Sequence, residues 1–202
     1  AGRVPIDLSA GYADYLILSG HKIGGPAGVG AMVAASDLMM PVSLITGGGQ
    51  EKGRRAGTEN LSGIAGFGAA AKEALGGIGA MPAVRAMRDK IESCILAIAA
   101  DAIIFGKDVT RLANTVSFAI PGLSAETAQI GFDLAGVALS AGSACSSGKV
   151  GPSHVLKAMG HDGQGALRVS VGHATSAEDI ELFRAALSGI LARRPKGMTK
   201  AA

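Results

Sequence analysis

Short apolar runs that break into glycine turns alternate here with longer stretches whose apolar residues recur at helical spacing. That alternation restricts the chain to an α/β fold. Tyr15-Leu16-Ile17-Leu18 reads as a buried strand, and Gly28 to Ala35 as a second one, after the turn Ser19-Gly20-His21-Lys22-Ile23-Gly24-Gly25-Pro26. Ser43-Leu44-Ile45-Thr46 is expected to form a third strand, ending in Gly47-Gly48-Gly49. The spacing of Ile64, Phe67, Ala71 and Leu75 predicts a helix after Asn60 with those residues on its apolar face. Its glycines and alanines suit close packing on a sheet.

Gly76-Gly77-Ile78-Gly79 is a breakpoint, and the pattern changes after it. Pro82 can open a helix whose stripe is Val84, Met87, Ile91, Cys94, Ile95 and Ile98. Ile103 to Phe105, Thr115 to Ile120, Val137 to Ser140 and Ala166 to Val171 read as strands. Ser124 caps a helix running to about Leu134, and a short helix is expected over Ser153 to Met159. Thr175-Ser176-Ala177-Glu178 reads as a capping box for a last helix carrying Ile180, Phe183, Leu187 and Ile190. The expected organisation is two unequal parts, 1–78 and 79–192, and a polar tail over 193–202. The first part offers too few elements to cover both faces of a sheet, which suggests the end of a larger domain.

Composition narrows the function. The 202 residues are 48% hydrophobic and 17% charged, so a folded core is expected, but aromatics are only 3% against 31 glycines. The interior must therefore be aliphatic, with elements approaching over Gly and Ala. A net charge of +3 without a basic stripe or stacking aromatics argues against nucleic acid. No apolar run reaches membrane-spanning length and no leader pattern opens the chain, so the expectation is a soluble, cytoplasmic protein. His21, His154, His161 and His173 lack ligand spacing, and Cys94 and Cys145 form neither a disulfide framework nor a zinc pair. No metal site is expected.

Four places carry chemistry. Lys22 stands where a strand breaks into a glycine turn, a position open to a surface charge or to an amine that attacks a carbonyl. Cys145 lies in the Gly/Ser-rich loop from Ala141 to Pro152, either as an accessible nucleophile or sulfur carrier or as an incidental loop thiol. Cys94, on an apolar helix face, reads as core. Gln50 to Asn60 sets arginines and Thr58 ahead of a helix, which fits either an anion such as phosphate or a solvated loop with an Asn cap. Arg168 interrupts an apolar strand, so it either captures a carboxylate or faces solvent.

Taken in order, SGHKIGGPAGVGAMVA, GGGQEKGRRAGTENLSGIAGFGAA, ANTVSF, SAGSACSSGKVGPSHVLKAMG and ALRVSVG resemble the C-terminal half of a cysteine desulfurase. That places the chain near the fold-type I, class V aminotransferase group, and its cysteine loop resembles the long-loop branch that serves iron–sulfur cluster assembly. The resemblance implies pyridoxal 5'-phosphate in a Schiff base with Lys22, its phosphate held by Ser19 and His21 and by Thr58 across a homodimer. It implies that Arg168 grips the carboxylate of L-cysteine. Cys145 would then take the sulfur as a persulfide, release alanine and deliver the sulfur to an acceptor or iron–sulfur scaffold protein.

By the same resemblance, residues 1–78 would be the end of the cofactor-binding large domain and 79–192 a smaller α/β domain with the cysteine loop. The N-terminal phosphate loop, the His over the ring and the Asp and Gln at the pyridine have no counterpart in the chain. The expectation is therefore a fragment with little or no desulfurase activity and poor cofactor binding on its own. A selenocysteine lyase-like enzyme and a non-catalytic sulfur-relay module are the alternative readings.

Overall fold

The computed structural model describes residues 1–142, 153–161 and 165–193. It is a mixed α/β protein dividing into two compact units, Ala1–Gly79 and Ala80–Ala202.

In the first unit, β1 (Tyr15–Ser19) pairs antiparallel with β2 (Gly30–Ala34), in a register running from Tyr15 opposite Ala34 to Ser19 opposite Gly30. A 3-10 turn over Gly20–Ile23 follows β1 and stops at Gly24, whose φ of 86° is left-handed. Gly20 must be glycine: its N–H donates to the Val29 carbonyl at 2.8 Å, and a Cβ would stand 2.8 Å from the Pro26 carbonyl oxygen. Helix α1 (Leu61–Gly76) begins at Asn60, whose Oδ1 accepts from the Gly63 N–H at 3.0 Å.

The packed face of α1 is only in part the predicted one: Phe67 and Ala71 are half-buried. Ile64 and Leu75 are exposed, whereas Gly63 is buried, and Cβ atoms built at Gly66 and Gly25 would meet Pro26 and Ala70. The helix leans on the turn through its smallest residues, because only they let the two backbones come so close. Among the described residues of this unit, Gly20 and Gly63 alone are buried. Residues 43–46 are not a strand either. Leu44 is 100% exposed, and the backbone is tied only where the Ile45 carbonyl accepts from Ala56 N–H at 2.9 Å.

The second unit holds an antiparallel sheet in the order β3-β4-β6-β5, from β3 (Ile103–Ile104), β4 (Thr115–Ala119), β5 (Ser140–Ala141) and β6 (Leu167–Ser170). One face is covered by α2 (Met81–Ile98), α3 (Ala125–Leu134) and α5 (Ala177–Ala192). Pro82 opens α2, and Val84, Ile91 and Ile95 of its stripe are buried. Phe132 stacks on Phe183 at 5.3 Å, and Phe118 meets Phe183 edge-on at 6.5 Å, so three of the chain's five phenylalanines share one core. The short α4 (His154–Ala158), capped by Ser153, covers part of the other face through Leu156, against Phe105 and Ala119.

Two boundaries differ from expectation. Strand pairing after α3 is confined to Ser140–Ala141. Upstream, the Val137 N–H donates to the Phe132 carbonyl and Gln129 Nε2 donates to the Leu139 carbonyl, so that segment is held to α3 instead of continuing the ladder. The capping box of α5 is Ser176 with Asp179, one residue later than read, because Thr175 Oγ1 accepts from Gly172 N–H at 3.0 Å instead.

Candidate active site

Ser19 ends β1 and occupies the cap position of the 3-10 turn, yet its hydroxyl makes no capping hydrogen bond. His21 and Lys22 follow on the same turn and are exposed. Among the described residues no carboxylate or hydrogen-bond partner engages the Lys22 amine. The buried Gly20 fixes this turn from below, so three polar side chains are presented by one rigid bend.

Thr58 is exposed on the loop ahead of α1. The arginines beside it are occupied. Arg54 pairs with Asp37 at 3.0 Å, and Arg55 lies 3.5 Å from Glu51 and donates to the carbonyls of Ala56 and Gly57. With Asn60 on the Gly63 N–H, this loop has the geometry of a solvated, Asn-capped segment. Gln50 Oε1 at its start is buried without a partner.

In the second unit, Arg168 lies on β6 between Ser117 of β4 and Ser140 of β5. Its neighbours Leu167 and Val169 are buried under the helices, so Arg168 belongs to the other face. Its Nη2 donates to Ser140 Oγ at 3.2 Å, and its Nε is buried with no partner. Ser140 was not legible as a site residue, because only the strand register brings it to Arg168. Cys145 lies outside the described residues. Cys94 is half-buried on α2, and burial pushes its thiol pKa up. A cavity of about 180 Å³, walled by Val137, Val171, Ile180 and Phe183, sits on the helix side of the sheet and does not include Arg168.

Among the described residues no cluster of His, Cys, Asp or Glu could hold a metal, and no helix is long and apolar enough to cross a membrane.

A lysine on the turn after β1, near a serine hydroxyl that caps nothing, and an arginine crossing a small antiparallel sheet occur in a chain whose residues 1–183 match the aminotransferase class-V pattern; the chain belongs to that family. Within it, the similarity runs to proteins named cysteine desulfurase. The one from Sinorhizobium fredii is 43% identical over 184 residues, covering 89% of this chain and 47% of that protein. Cysteine desulfurase NifS of Azotobacter vinelandii is 40% identical over 184 residues, covering 89% of this chain and 46% of that protein. The solved structure of a NifS-like protein from Rickettsia africae superposes with a TM-score of 0.82 at 35% identity, over 95% of this chain and 51% of that one. The chain thus spans about half the length of the curated relatives it matches.

Proposed function

We propose that this chain carries Lys22, Arg168 and Cys145 as part of a pyridoxal 5'-phosphate-dependent cysteine desulfurase. The observation that carries the reading is the Ser19–Lys22 turn, with its uncapped hydroxyl and its amine unpaired among the described residues. Those groups suit the cofactor: an amine for its aldehyde, and a hydroxyl and an imidazole for its phosphate. Bound there, the cofactor supplies an electron sink for the substrate's Cα.

Lys22 would hold the cofactor's aldehyde, and its amine would serve as the base that moves the proton at the substrate's Cα. Arg168 binds the substrate carboxylate and so fixes which face of Cα meets the lysine. The Cys145 thiolate attacks the substrate sulfur. A sulfur–sulfur bond forms as the carbon–sulfur bond breaks; the bonding pair stays with Cβ, which takes a proton, leaving a persulfide on Cys145 and alanine as product. Thr58, exposed and without a partner among the described residues, suits the phosphate in a second copy of the protein, which makes a homodimer part of the reading. The persulfide sulfur then passes to an acceptor such as an iron–sulfur scaffold protein. The first unit buries little besides Gly20 and Gly63, so we expect the 202-residue chain alone to hold the cofactor weakly.

The test is alanine release from L-cysteine by protein expressed from its natural gene. Lys22→Ala and Cys145→Ala should each abolish it, and borohydride with the cofactor should mark the Lys22 peptide. Alanine release that survives Lys22→Ala would overturn the reading.

A further inference from the structure

Four arginines among the described residues are at least partly withdrawn from solvent: Arg55, Arg88, Arg111 and Arg168. Arg55 has Glu51, Arg88 has Asp89 and Glu92, and Arg111 has Glu92. Arg168 alone has no carboxylate among the described residues, and its Nε is shut away from water with nothing to donate to. A guanidinium in that state is held ready for an anion that the described protein does not supply. Its one hydrogen bond there is from Nη2 to Ser140 Oγ.

We propose that Ser140 is a positioning residue for Arg168, setting the guanidinium plane so that its open edge receives the carboxylate of a small α-amino acid. This rests on the reading of Arg168 as the carboxylate-binding group. The register supports it. Ser140 and Arg168 are direct partners across β5 and β6, on the sheet face away from α2, α3 and α5, and the next pair, Ala141 and Leu167, continues the ladder. The Gly142 N–H extends it to the Ala166 carbonyl at 2.9 Å. The serine is thereby fixed by backbone pairing to the residue it orients.

An arginine stem has several rotatable bonds, and bidentate capture of a carboxylate requires the guanidinium plane to be aimed beforehand. Ser140 Oγ supplies one fixed acceptor for that purpose. Ser117, opposite Arg168 on β4, shares no hydrogen bond with it among the described residues, so the aim comes from the β5 side.

The experiment uses holoenzyme from the natural gene, with steady-state kinetics on L-cysteine and calorimetric binding of the product L-alanine. Ser140→Ala should raise KM and weaken L-alanine binding roughly tenfold, with a smaller change in kcat, as expected for one lost bond to a charged donor. Ser140→Thr, which keeps the hydroxyl, should restore both values. In an Arg168→Ala background, Ser140→Ala should have no further effect.

Three outcomes overturn the proposal. If Arg168→Ala weakens L-alanine binding but Ser140→Ala lowers only the melting temperature, Ser140 is structural and the reading of Arg168 stands. If Ser140→Ala acts equally with and without Arg168, it does not act through that residue. If neither variant changes L-alanine binding, the reading of Arg168 falls and the proposal with it.

Discussion

The Arg111 guanidinium donates to the Glu92 carboxylate at 2.7 Å, tying the segment before β4 to the side of α2. Arg88, one helical turn before Glu92, is 3.8 Å from the same carboxylate and donates to the Leu112 carbonyl at 3.3 Å. Arg88 and Glu92 are both 7% exposed, so this ion pair lies where removing one partner strands a charge. Arg111→Ala leaves Glu92 with Arg88 and should destabilise the chain by about 1–2 kcal/mol in denaturant unfolding, the loss of one charged hydrogen bond. Arg111→Ala with Glu92→Ala should cost less than the sum of the singles. A loss from Arg111→Ala below about 0.5 kcal/mol would mean the pair behaves as a surface bridge.

Two glycines near Lys22 should fail for different reasons. A Cβ at Gly30 would run into the Leu18 carbonyl across the β1–β2 ladder, so Gly30→Ala should part the strands at the Ser19 end. Gly24 has open space but a φ of 86°, so Gly24→Ala should cost only the left-handed strain, about 1–2 kcal/mol. Amide exchange at Gly20, bonded to the Val29 carbonyl, reports both. Gly30→Ala should accelerate it strongly and Gly24→Ala mildly, and equal effects would contradict the assignment.

Elements with a local signal were legible in the sequence. Pro82 at the start of α2 and Ser124 as the cap of α3 needed no distant partner to be recognised. The Tyr15–Leu18 run, by contrast, is a strand through its pairing with β2 and is not the buried strand expected, with Tyr15 and Ile17 exposed. Ser43–Thr46 and Val137–Leu139 failed because a short apolar run becomes a strand only if another backbone lies beside it. Part of the packed face of α1 was missed because close approach to Pro26 favours Gly66, which hydrophobic patterning ignores. Residue type and position left Lys22 and Arg168 open between a site and a solvent-facing charge, and it was the resemblance that gave them roles. The Ser140–Arg168 bond spans 28 residues and exists only through the β5–β6 register, so no local pattern announces it.

The capping box of α5 gives an acid-side prediction. Hydrogen bonds from the Ser176 N–H and hydroxyl hold the Asp179 carboxyl below its ordinary range. A depressed folded pKa contributes stability that is present above the ordinary carboxylate pKa and is lost as pH falls through the folded value. Ser176→Ala should move the Asp179 titration back up, followed by carboxyl NMR, and should shrink the loss of α5 helicity on acidification. An Asp179 titration unchanged by that variant would show that the cap is not what holds it.

Cys94 tests burial on α2 in the alkaline direction. The thiol is pushed up first by burial and further by Glu181, with the Arg184 guanidinium working against both. A raised folded pKa means less thiolate near neutrality. Any stability linked to it is present below the unfolded thiol's pKa and fades as pH rises through the folded value. In Cys145→Ala, Cys94 is the sole remaining cysteine. Its alkylation by iodoacetamide near pH 7.5 should then run at least about threefold slower than that of free cysteine, and climb only at pH above the free-thiol value of about 8.5. Arg184→Ala should slow it further and Glu181→Gln should speed it, since each changes one charge facing the sulfur without touching α2. Alkylation as fast as free cysteine in the folded chain would show that the α2–α5 contact leaves this thiol open to solvent.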